Sequence, residues 1–328
     1  MKLFLYSLRA YDEKPICEEL AIRYGWSVGS SSEAPSLQNA ILAAGYDAIS
    51  FTVSTMDRTL LETFARLGVR AIICRSIGYD HVDLKAAEAL ELAVYHAAYP
   101  PEGVADYAIM LAMMGLRKMP LVMKKSAEGD FTLRGRIGRA LGDVSVGVVG
   151  TGRIGLTVLR HLSGFGSKLF YWNRKPNPEA DKLATYLALD KLLAVSDVVT
   201  LHLSSHPETF HLLDARRLGL MKQDSVLVNT ARGQLVDTSA LIASLQDGRP
   251  GFALLDVQEE EDGLYYFDHR GETIPYPEYR KLQAMEQVLL SPHIAFYTED
   301  DLRAEIQSNF DAALAFSRGE ESPYRVRS

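Results

Sequence analysis

The chain has 328 residues, of which 47% are hydrophobic and 23% are charged, a composition typical of globular proteins. Its formal net charge of −7 argues against a nucleic-acid partner, and its two cysteines are too few for a disulfide framework, so Cys17 and Cys74 are expected in the core. No apolar run approaches the roughly 18 residues of a membrane span, and the run Leu3 to Tyr6 is too short for a secretory signal. We therefore expect a cytoplasmic protein without a membrane partner.

Short β-like runs alternate with helix-length segments in two parts of the chain. Before residue 100 the runs are KLFLYS, YDAISFTV, RAIICRS and LAVYHAA. From residue 144 the alternation restarts with VSVGVVG, KLFYW, DVVTLHL, DSVLVNT, FALLDV and QVLLSPH. Continuous apolar runs separated by helices indicate parallel strands that are covered on both faces. The pattern therefore predicts two α/β units.

Three further segments fill the rest of the chain. Residues 103–131 have apolar side chains at helical spacing and predict a long helix, which packs in a core or against its twin in a homodimer. Residues 298–320 predict an amphipathic helix with an acidic first turn, which suits the helix dipole. The last segment, ESPYRVRS, is expected to be a frayed tail.

A glycine-rich turn follows the strand VSVGVVG. Gly150, Gly152 and Gly155 match G-x-G-x-x-G between a strand and a helix, the context that the dinucleotide-binding motif requires. Glycines permit the tight turn and the approach of a pyrophosphate to the bare backbone, while the helix N-terminus supplies positive potential. We therefore expect a dinucleotide to bind at this turn, which also contains Thr151, Arg153 and Ile154.

The next strand ends without the acidic residue that binds the ribose of NAD in this kind of fold. Asn173 and Arg174 stand there, followed by Lys175. An arginine can pair with a 2′-phosphate, so we expect NADP(H) to be accepted and NAD(H) to remain usable. The alternative is that Arg174 lies in solvent and has no role in binding.

Polar residues follow three later strands, at the carboxyl ends where open α/β sheets bind ligands. Arg232 follows VLVNT, Asp256 begins an acidic run that reaches Glu261, and His293 follows VLLSP. Each has an ordinary explanation by itself: a surface arginine, a solvated acidic loop and a hydrogen-bonded core histidine. In this order after a dinucleotide turn, they predict a catalytic site.

These motifs resemble those of the D-2-hydroxyacid dehydrogenase family, and within it the D-lactate dehydrogenases, including the vancomycin-resistance pyruvate reductases. The matching stretches cover nearly the whole chain: RSIGYDHVDLKAA, YPPEGVADYAIML, VGVVGTGRIG, DVVTLHL, VLVNTARGQLVDT, LLDVQEEE and SPHIAFYTE. The resemblance implies an α/β fold of two doubly wound parallel-sheet, Rossmann-like domains. A dinucleotide-binding domain, residues 100–296, is then inserted into a flavodoxin-like catalytic domain made of residues 1–99 and 297–328.

The resemblance also implies catalytic roles for three residues. His293 is the proton donor, Glu261 its partner and Arg232 the substrate anchor, and no metal is required. The chemistry suits these residue types, because reduction of a 2-keto acid needs a proton at the carbonyl oxygen and a fork of N–H donors for the carboxylate. Without the family spacing, Glu261 could not be distinguished from Glu259 or Glu260.

The remaining binding residues come from the same resemblance. On the cofactor side, Asp256 accepts a bond from the nicotinamide amide, and three other residues line the nicotinamide: His202, Thr230 and Ala231. On the substrate side, the backbone N–H groups of Ile77 and Gly78 bind the carboxylate, and the aromatic side chains of Tyr99 and Phe296 line the pocket.

We therefore expect NAD(P)H-dependent reduction of a 2-keto acid to a D-2-hydroxy acid, with pyruvate to D-lactate as the first choice. The segment FTVSTMDRT matches the family poorly, so branched-chain or aromatic 2-keto acids, glyoxylate and 2-ketoglutarate are alternative substrates, with Arg58 as the candidate cation for a dicarboxylate. Ser204 replaces a usual proline near the cofactor. An alternative of another class is a non-enzymatic dinucleotide sensor or corepressor, which would need only the cofactor site.

Overall fold

A computed structural model describes residues 1–261 and 263–327. The chain forms two compact units, and the first is assembled from both ends of the chain. Unit 1 contains Met1–Pro100 and the segment from Tyr297 onward, and unit 2 is Pro101–Phe296. Within the described residues, no helix combines the length and the apolar character that crossing a bilayer requires.

Unit 1 is built on a six-stranded sheet in the order β13-β5-β4-β3-β1-β2. Its strands are β1 (Lys2–Leu5), β2 (Ser27–Ser30), β3 (Ala48–Phe51), β4 (Ala71–Cys74), β5 (Ala93–Tyr95) and β13 (Arg325–Val326). Its helices are α1 (Glu13–Tyr24), α2 (Arg58–Arg66), α3 (Leu84–Ala89) and α12 (Glu299–Arg318). The first five strands are parallel, in the 2-1-3-4-5 order of flavodoxin-like sheets.

The last helix of the chain is the amphipathic helix expected from the sequence. Thr298 caps α12 by accepting a bond from the N–H of Asp301, and Gly319 ends it in the left-handed conformation. Leu302, Ile306 and Phe310 pack into the core of unit 1. The prediction of a frayed tail was wrong, because β13 pairs antiparallel with β5 and buries Val326.

Unit 2 has a seven-stranded parallel sheet in the order β12-β11-β10-β9-β6-β7-β8. The strands are β6 (Ser145–Val149), β7 (Lys168–Trp172), β8 (Thr185–Tyr186), β9 (Val198–Leu201), β10 (Val226–Asn229), β11 (Phe252–Leu255) and β12 (Val288–Leu290). The helices are α4 (Glu102–Leu116), α5 (Met119–Ala127), α6 (Arg153–Leu162), α7 (Pro178–Asp181), α8 (Leu189–Val195), α9 (Ala215–Leu218), α10 (Thr238–Gln246) and α11 (Pro277–Ala284). The strand order reverses between β6 and β9, where ligands of such sheets bind.

The single long helix predicted for residues 103–131 is in fact two helices. Lys118 has a φ of 54°, in the left-handed region, and separates α4 from α5. Residues of α4 pack into the core of unit 2, whereas α5 has no fully buried residue. The sequence pattern did not reveal the break, because apolar residues continue at helical spacing on both sides of it. The predicted α/β class, with two parallel-dominated sheets, is confirmed, and Cys17 and Cys74 are buried as expected.

Candidate active site

The glycine-rich turn lies between β6 and α6, at the strand reversal of unit 2. Gly150 has a φ of 96°, a conformation that L-residues rarely adopt. A Cβ at Gly155 would collide with the carbonyl oxygen of Gly150, whereas a Cβ at Gly152 would meet nothing within 4 Å. The first turn of α6 has no side-chain cap, so its N–H groups are available to an anion. The residues present therefore fit a dinucleotide pyrophosphate.

An asparagine that the sequence analysis did not select holds this turn in place. The side-chain amide of Asn177 donates to the carbonyl oxygen of Thr151 at 3.0 Å and to its hydroxyl at 3.2 Å. The backbone N–H of Asn177 donates in turn to the buried hydroxyl of Tyr171 on β7. No motif signals this residue, because its partners become neighbours only when the sheet forms.

The positions after β7 differ from the expectation in one respect. Arg174 is largely exposed, but its guanidinium lies 3.4 Å from the carboxylate of Glu208 in the loop after β9. Asn173 is half-buried, and its carbonyl oxygen accepts a bond from Tyr186. The expected cation is therefore present, together with an acidic neighbour that could not be expected from the sequence.

His202 follows β9 and packs beneath the glycine turn. Its carbonyl oxygen would lie only 2.5 Å from a Cβ on Gly150, and its ring Nε2 is 2.9 Å from the hydroxyl of Thr200. Burial lowers the pKa of the imidazole to about 3, because the charged form loses its hydration. His202 is therefore neutral at physiological pH and acts as an uncharged part of this surface.

The loop after β10 is shaped by Asn229, the last residue of that strand. Its side-chain oxygen accepts from the N–H of Ala231 at 3.0 Å, and its amide donates to the carbonyl oxygen of Arg232 at 2.8 Å. Thr230 is buried, and the Arg232 guanidinium donates to the carbonyl oxygen of Ala231 at 2.7 Å. The side chain of Arg232 is half-buried, and the backbone that carries it is held in place by these hydrogen bonds.

His293 and Glu261 form a close pair on the loops that follow β12 and β11. Nδ1 of His293 is 2.7 Å from Oε1 of Glu261, and both side chains are about four-fifths buried, at 18% and 19% exposure. The other carboxylate oxygen of Glu261 accepts from the N–H of Gln258 at 3.2 Å. The bond to Nδ1 fixes the imidazole orientation and leaves Nε2 as its second polar atom.

The other two candidate carboxylates, Glu259 and Glu260, make no bond to His293 in the structure. Glu259 binds His211 at 2.7 Å, and its second oxygen accepts from the hydroxyl and N–H of Thr238. Glu260 has a φ of 57°, a left-handed turn that separates the neighbouring side chains. Geometry thus separates three carboxylates that sequence alone left equivalent. Asp262 of the same run lies outside the described residues.

Asp256 has a fully buried side chain whose carboxylate holds the loop that carries His293. Oδ1 accepts from the Ser291 hydroxyl at 2.6 Å and from the N–H of Ile294 at 3.0 Å, and Oδ2 accepts from the N–H of Ala295 at 2.8 Å. Burial raises the pKa of this carboxyl above its usual value, and these bonds oppose that shift. Oδ2 retains acceptor capacity for a further donor.

The expected substrate residues are distributed over the two units. Ile77 and Gly78 lie in the loop after β4 of unit 1, where the Ser76 hydroxyl donates to the carbonyl oxygen of Gly78 at 2.6 Å. Tyr99 is half-buried at the end of the first segment of unit 1. Phe296 belongs to unit 2, where its ring lies edge-on to that of His293 at 6.4 Å.

Together, the Rossmann-type sheet, its glycine turn and the His293–Glu261 pair define a dinucleotide-dependent oxidoreductase. Residues 109–295 match the model of the D-isomer specific 2-hydroxyacid dehydrogenase NAD binding domain. The chain belongs to this family.

Relatives along almost the full length agree with this assignment. The chain is 40% identical to a D-specific alpha-keto acid dehydrogenase of Enterococcus faecalis, over 88% of each chain. It is 33% identical to the D-lactate dehydrogenase of Escherichia coli, over 98% of this chain and 99% of the relative. It also superimposes, with a TM-score of 0.83, on the crystal structure of the NAD-complexed D-isomer specific 2-hydroxyacid dehydrogenase from Lactobacillus delbrueckii ssp. bulgaricus. The two sequences are 29% identical, and the match covers the full length of both chains.

Proposed function

We propose that this protein reduces a 2-keto acid to the corresponding D-2-hydroxy acid at the expense of NAD(P)H, with pyruvate and D-lactate as the preferred pair. The observation that carries the proposal is the His293–Glu261 pair, at 2.7 Å, in a chain whose NAD-binding turn fits a pyrophosphate. The names of the relatives, which act on alpha-keto acids and D-lactate, support the substrate class.

In this proposal His293 is the general acid. Its Nδ1 is occupied by Glu261, so Nε2 of the imidazolium gives its proton to the substrate carbonyl oxygen as that oxygen gains negative charge. Glu261 keeps the ring oriented and offsets the positive charge. In the oxidative direction, neutral His293 accepts the hydroxyl proton at the same nitrogen.

Arg232 binds the substrate carboxylate through two parallel N–H donors and polarises the carbonyl group. The side chain of Asn229 holds the backbone of this loop in place. The guanidinium of Arg232 therefore loses less conformational freedom when it binds the substrate. In unit 1, we assign Tyr99 and the backbone N–H groups of Ile77 and Gly78 to substrate binding. In unit 2, Phe296 is assigned to the same role.

The cofactor is held by the turn from Gly150 to Gly155, including Thr151, Arg153 and Ile154. His202, Thr230 and Ala231 line the nicotinamide side, where Asp256 accepts from the carboxamide through the remaining capacity of Oδ2. When bound, the reduced nicotinamide supplies the hydride for the substrate carbonyl carbon.

NADH and NADPH are both proposed as usable cofactors. Asn173 is neutral and Arg174 is cationic, so neither repels a 2′-phosphate. Glu208, 3.4 Å from Arg174, opposes the phosphate and keeps NADH competitive.

Two alternatives have less support. A dicarboxylic substrate would need a further cation, but the candidate Arg58 lies on α2 with an exposed side chain 3.7 Å from Glu62. A non-enzymatic sensor would have no use for the His293–Glu261 pair or for Arg232. Branched-chain and aromatic 2-keto acids and glyoxylate remain the competing substrates within the same reaction class.

We also propose a cytoplasmic homodimer. The cytoplasmic location is proposed because the cytoplasm supplies reduced nicotinamide cofactors. The homodimer is proposed because unit 2 exposes large apolar side chains that a second copy could cover. Phe131, Leu133 and Ile137, which follow α5, are 77%, 89% and 85% exposed. Large apolar side chains that are exposed within one short segment are typical of an interaction surface. Sedimentation equilibrium tests this, and a strictly monomeric protein at all concentrations contradicts it.

The activity is tested by following the absorbance of the reduced nicotinamide with purified protein, pyruvate, and either NADH or NADPH. Larger 2-keto acids, glyoxylate and 2-ketoglutarate are measured alongside. Pyruvate should give the highest kcat/KM, and both cofactors should support turnover. A larger acid that is preferred by tenfold or more rejects pyruvate, whereas no turnover with any 2-keto acid rejects the reductase itself.

A further inference from the structure

Arg75 is a buried cation in unit 1 that the proposed reaction does not use. Its side chain is 1% exposed and lies directly before the loop that contains Ile77 and Gly78. A buried guanidinium without partners is strongly destabilising, so the partners of Arg75 show which segments it joins.

The partners of Arg75 come from separate parts of unit 1. Nε donates to Glu13 at 3.2 Å, Nη1 to the Ser50 hydroxyl at 3.3 Å, and Nη2 to the carbonyl oxygen of Tyr6 at 2.6 Å. Nη2 also bonds to the Thr52 hydroxyl at 3.1 Å. One planar side chain therefore joins the ends of β1 and β3 and the start of α1 to the base of the Ile77 loop.

The C-terminal helix α12 continues this network through Asn309. The side-chain oxygen of Asn309 accepts from Ser50 at 2.8 Å, and its amide donates to the carbonyl oxygen of Cys74 at 3.3 Å. Because Cys74 precedes Arg75, the chain of hydrogen bonds returns to the base of the same loop.

A second residue of α12 reaches the segment that carries Tyr99. The hydroxyl of Ser308, which is 3% exposed, accepts from the N–H of Ala98 at 2.9 Å. The N–H of the preceding Ala97 donates to the carbonyl oxygen of Ser76 at 2.9 Å. The segment before Tyr99 and the loop of Ile77 are therefore held to each other and to one buried polar network.

We propose that Arg75 and Ser308 are positioning residues for substrate binding: Arg75 fixes the loop of Ile77 and Gly78, and Ser308 fixes the segment of Tyr99. The proposal rests on the proposed function, because it assumes that these segments contact the keto acid. Backbone N–H groups bind a carboxylate well only when they are correctly placed. A displaced loop therefore weakens binding of the keto acid, whereas the proton donor, His293, is held by residues of unit 2.

The test compares Ser308→Ala and Arg75→Lys with the control Ser317→Ala. Ser317 lies on the same helix, but its hydroxyl donates only to the Leu314 carbonyl oxygen of α12. Ser308→Ala should raise the KM for the keto acid by about three- to tenfold, the effect of losing the bond from the Ala98 N–H, because the bond that Ser308 donates to the Glu305 carbonyl oxygen has its counterpart in the control Ser317. Arg75→Lys should raise it by more than tenfold, because an ammonium cannot replace the fork. The KM for NADH should be unchanged, and Ser317→Ala should match the wild type.

Hydrogen exchange of the cofactor-free protein provides a readout that does not depend on turnover. Ser308→Ala should accelerate exchange in peptides that cover residues 76–99 and leave the peptides of unit 2 unchanged. A merely structural role would instead lower the melting temperature without a change in KM at a temperature where the variant is folded. Ser308→Ala keeps the test decisive if Arg75→Lys fails to fold.

The two levels of the proposal fail in different ways. A wild-type protein that reduces no 2-keto acid overturns the proposed function, and the substrate role of the two segments with it. An active wild type, together with a Ser308→Ala variant that keeps both the keto-acid KM and the exchange rates of residues 76–99, overturns only the positioning role.

Discussion

The main-chain N–H of His293 donates to the carbonyl oxygen of Asp256 at 2.8 Å, while the Asp256 carboxylate binds the next two N–H groups along the chain. His293 has a φ of 54°, in the left-handed region that non-glycine residues rarely occupy. One aspartate thus holds the proposed proton donor in an uncommon backbone conformation from both its main chain and its side chain.

Asp256→Asn should lower both kcat and stability. The carboxamide cannot accept on both sides, so it leaves a buried N–H unpaired or directs its NH2 group at one, at a cost of about 1–3 kcal/mol. Thermal unfolding and steady-state kinetics check this, and Ser291→Ala, which removes only one donor to Oδ1, should have a smaller effect. An Asp256→Asn variant with wild-type kcat and melting temperature contradicts the proposed support of His293.

His293→Gln should lower kcat by about 10²- to 10⁴-fold, the usual contribution of a general acid. Glu261→Gln should lower it less, because the imidazole remains but loses the carboxylate that orients it. NADH binding, measured by fluorescence, should be nearly unchanged in both variants. Near-normal turnover of His293→Gln would rule out the mechanism.

Arg232→Lys should raise the KM for the keto acid by about 10- to 100-fold, as expected for the loss of one charged hydrogen bond. A lysine supplies a point charge and cannot form the paired contact with a carboxylate. Arg216→Lys is a suitable control, because Arg216 is an exposed residue of the same unit that pairs with Asp190. If the two variants behave alike in steady-state kinetics, Arg232 does not bind the substrate.

Glu208→Gln should improve NADPH use relative to NADH by a few-fold at low salt. Removal of the carboxylate near Arg174 removes repulsion of a 2′-phosphate, and exposed pairs of this kind are worth about 0–1 kcal/mol. Arg174→Ala should shift the preference toward NADH, while Glu179→Gln, which alters an exposed pair with Lys182, should not shift it. The ratio of kcat/KM for the two cofactors is the measurement, and an unchanged ratio in both Glu208→Gln and Arg174→Ala excludes this cofactor contact.

Glu305→Gln should change how stability depends on pH. Burial, together with the nearby carboxylates of Glu13 and Asp12, raises the pKa of the Glu305 carboxyl from 4.5 to about 8, against the opposing effect of the cations Arg75 and Arg9. Between these two values the folded protein retains a proton that the unfolded chain has lost, so the free energy of unfolding falls as pH rises, by up to about 1.4 kcal/mol per unit.

The glutamine variant lacks this titration, so its stability relative to the wild type should increase from pH 5 to pH 8. Denaturant unfolding at several pH values measures the difference. Glu320→Gln, an exposed change just beyond α12, serves as the control. Parallel pH profiles for wild type and Glu305→Gln contradict a protonated, buried Glu305.

Much of the fold follows from local sequence signals. The apolar runs predicted the longer strands, and the acidic first turn after Thr298 predicted α12. Three strands were missed: β8 and β13 have only two residues each, and β2 (SVGS) contains a single apolar residue, so all three depend on pairing with a neighbour rather than on a sequence pattern. The break at Lys118 was missed because it depends on backbone conformation rather than on hydrophobic spacing.

The site shows a similar division between local and tertiary signals. The glycine turn and the loop residues Arg232 and His293 follow recognisable strands, so their placement could be inferred. Their supporting contacts could not, because Asn177 meets Thr151, Ser291 meets Asp256 and Glu208 meets Arg174 only after the sheet of unit 2 has formed. The network around Arg75 could not be predicted either, because the local sequence does not show whether an arginine is buried or exposed.

The division of unit 1 between the two ends of the chain sets an order of events during synthesis. Unit 2 is continuous and leaves the ribosome whole, so it can fold while translation continues. The strands of unit 1 that emerge first must wait for α12, which supplies Ser308 and Asn309 to their core and arrives more than 200 residues after β5. A nascent chain that stalls before α12 would therefore combine a complete nucleotide-binding unit with strands whose apolar face is uncovered, and exposed surface of that kind is prone to aggregate.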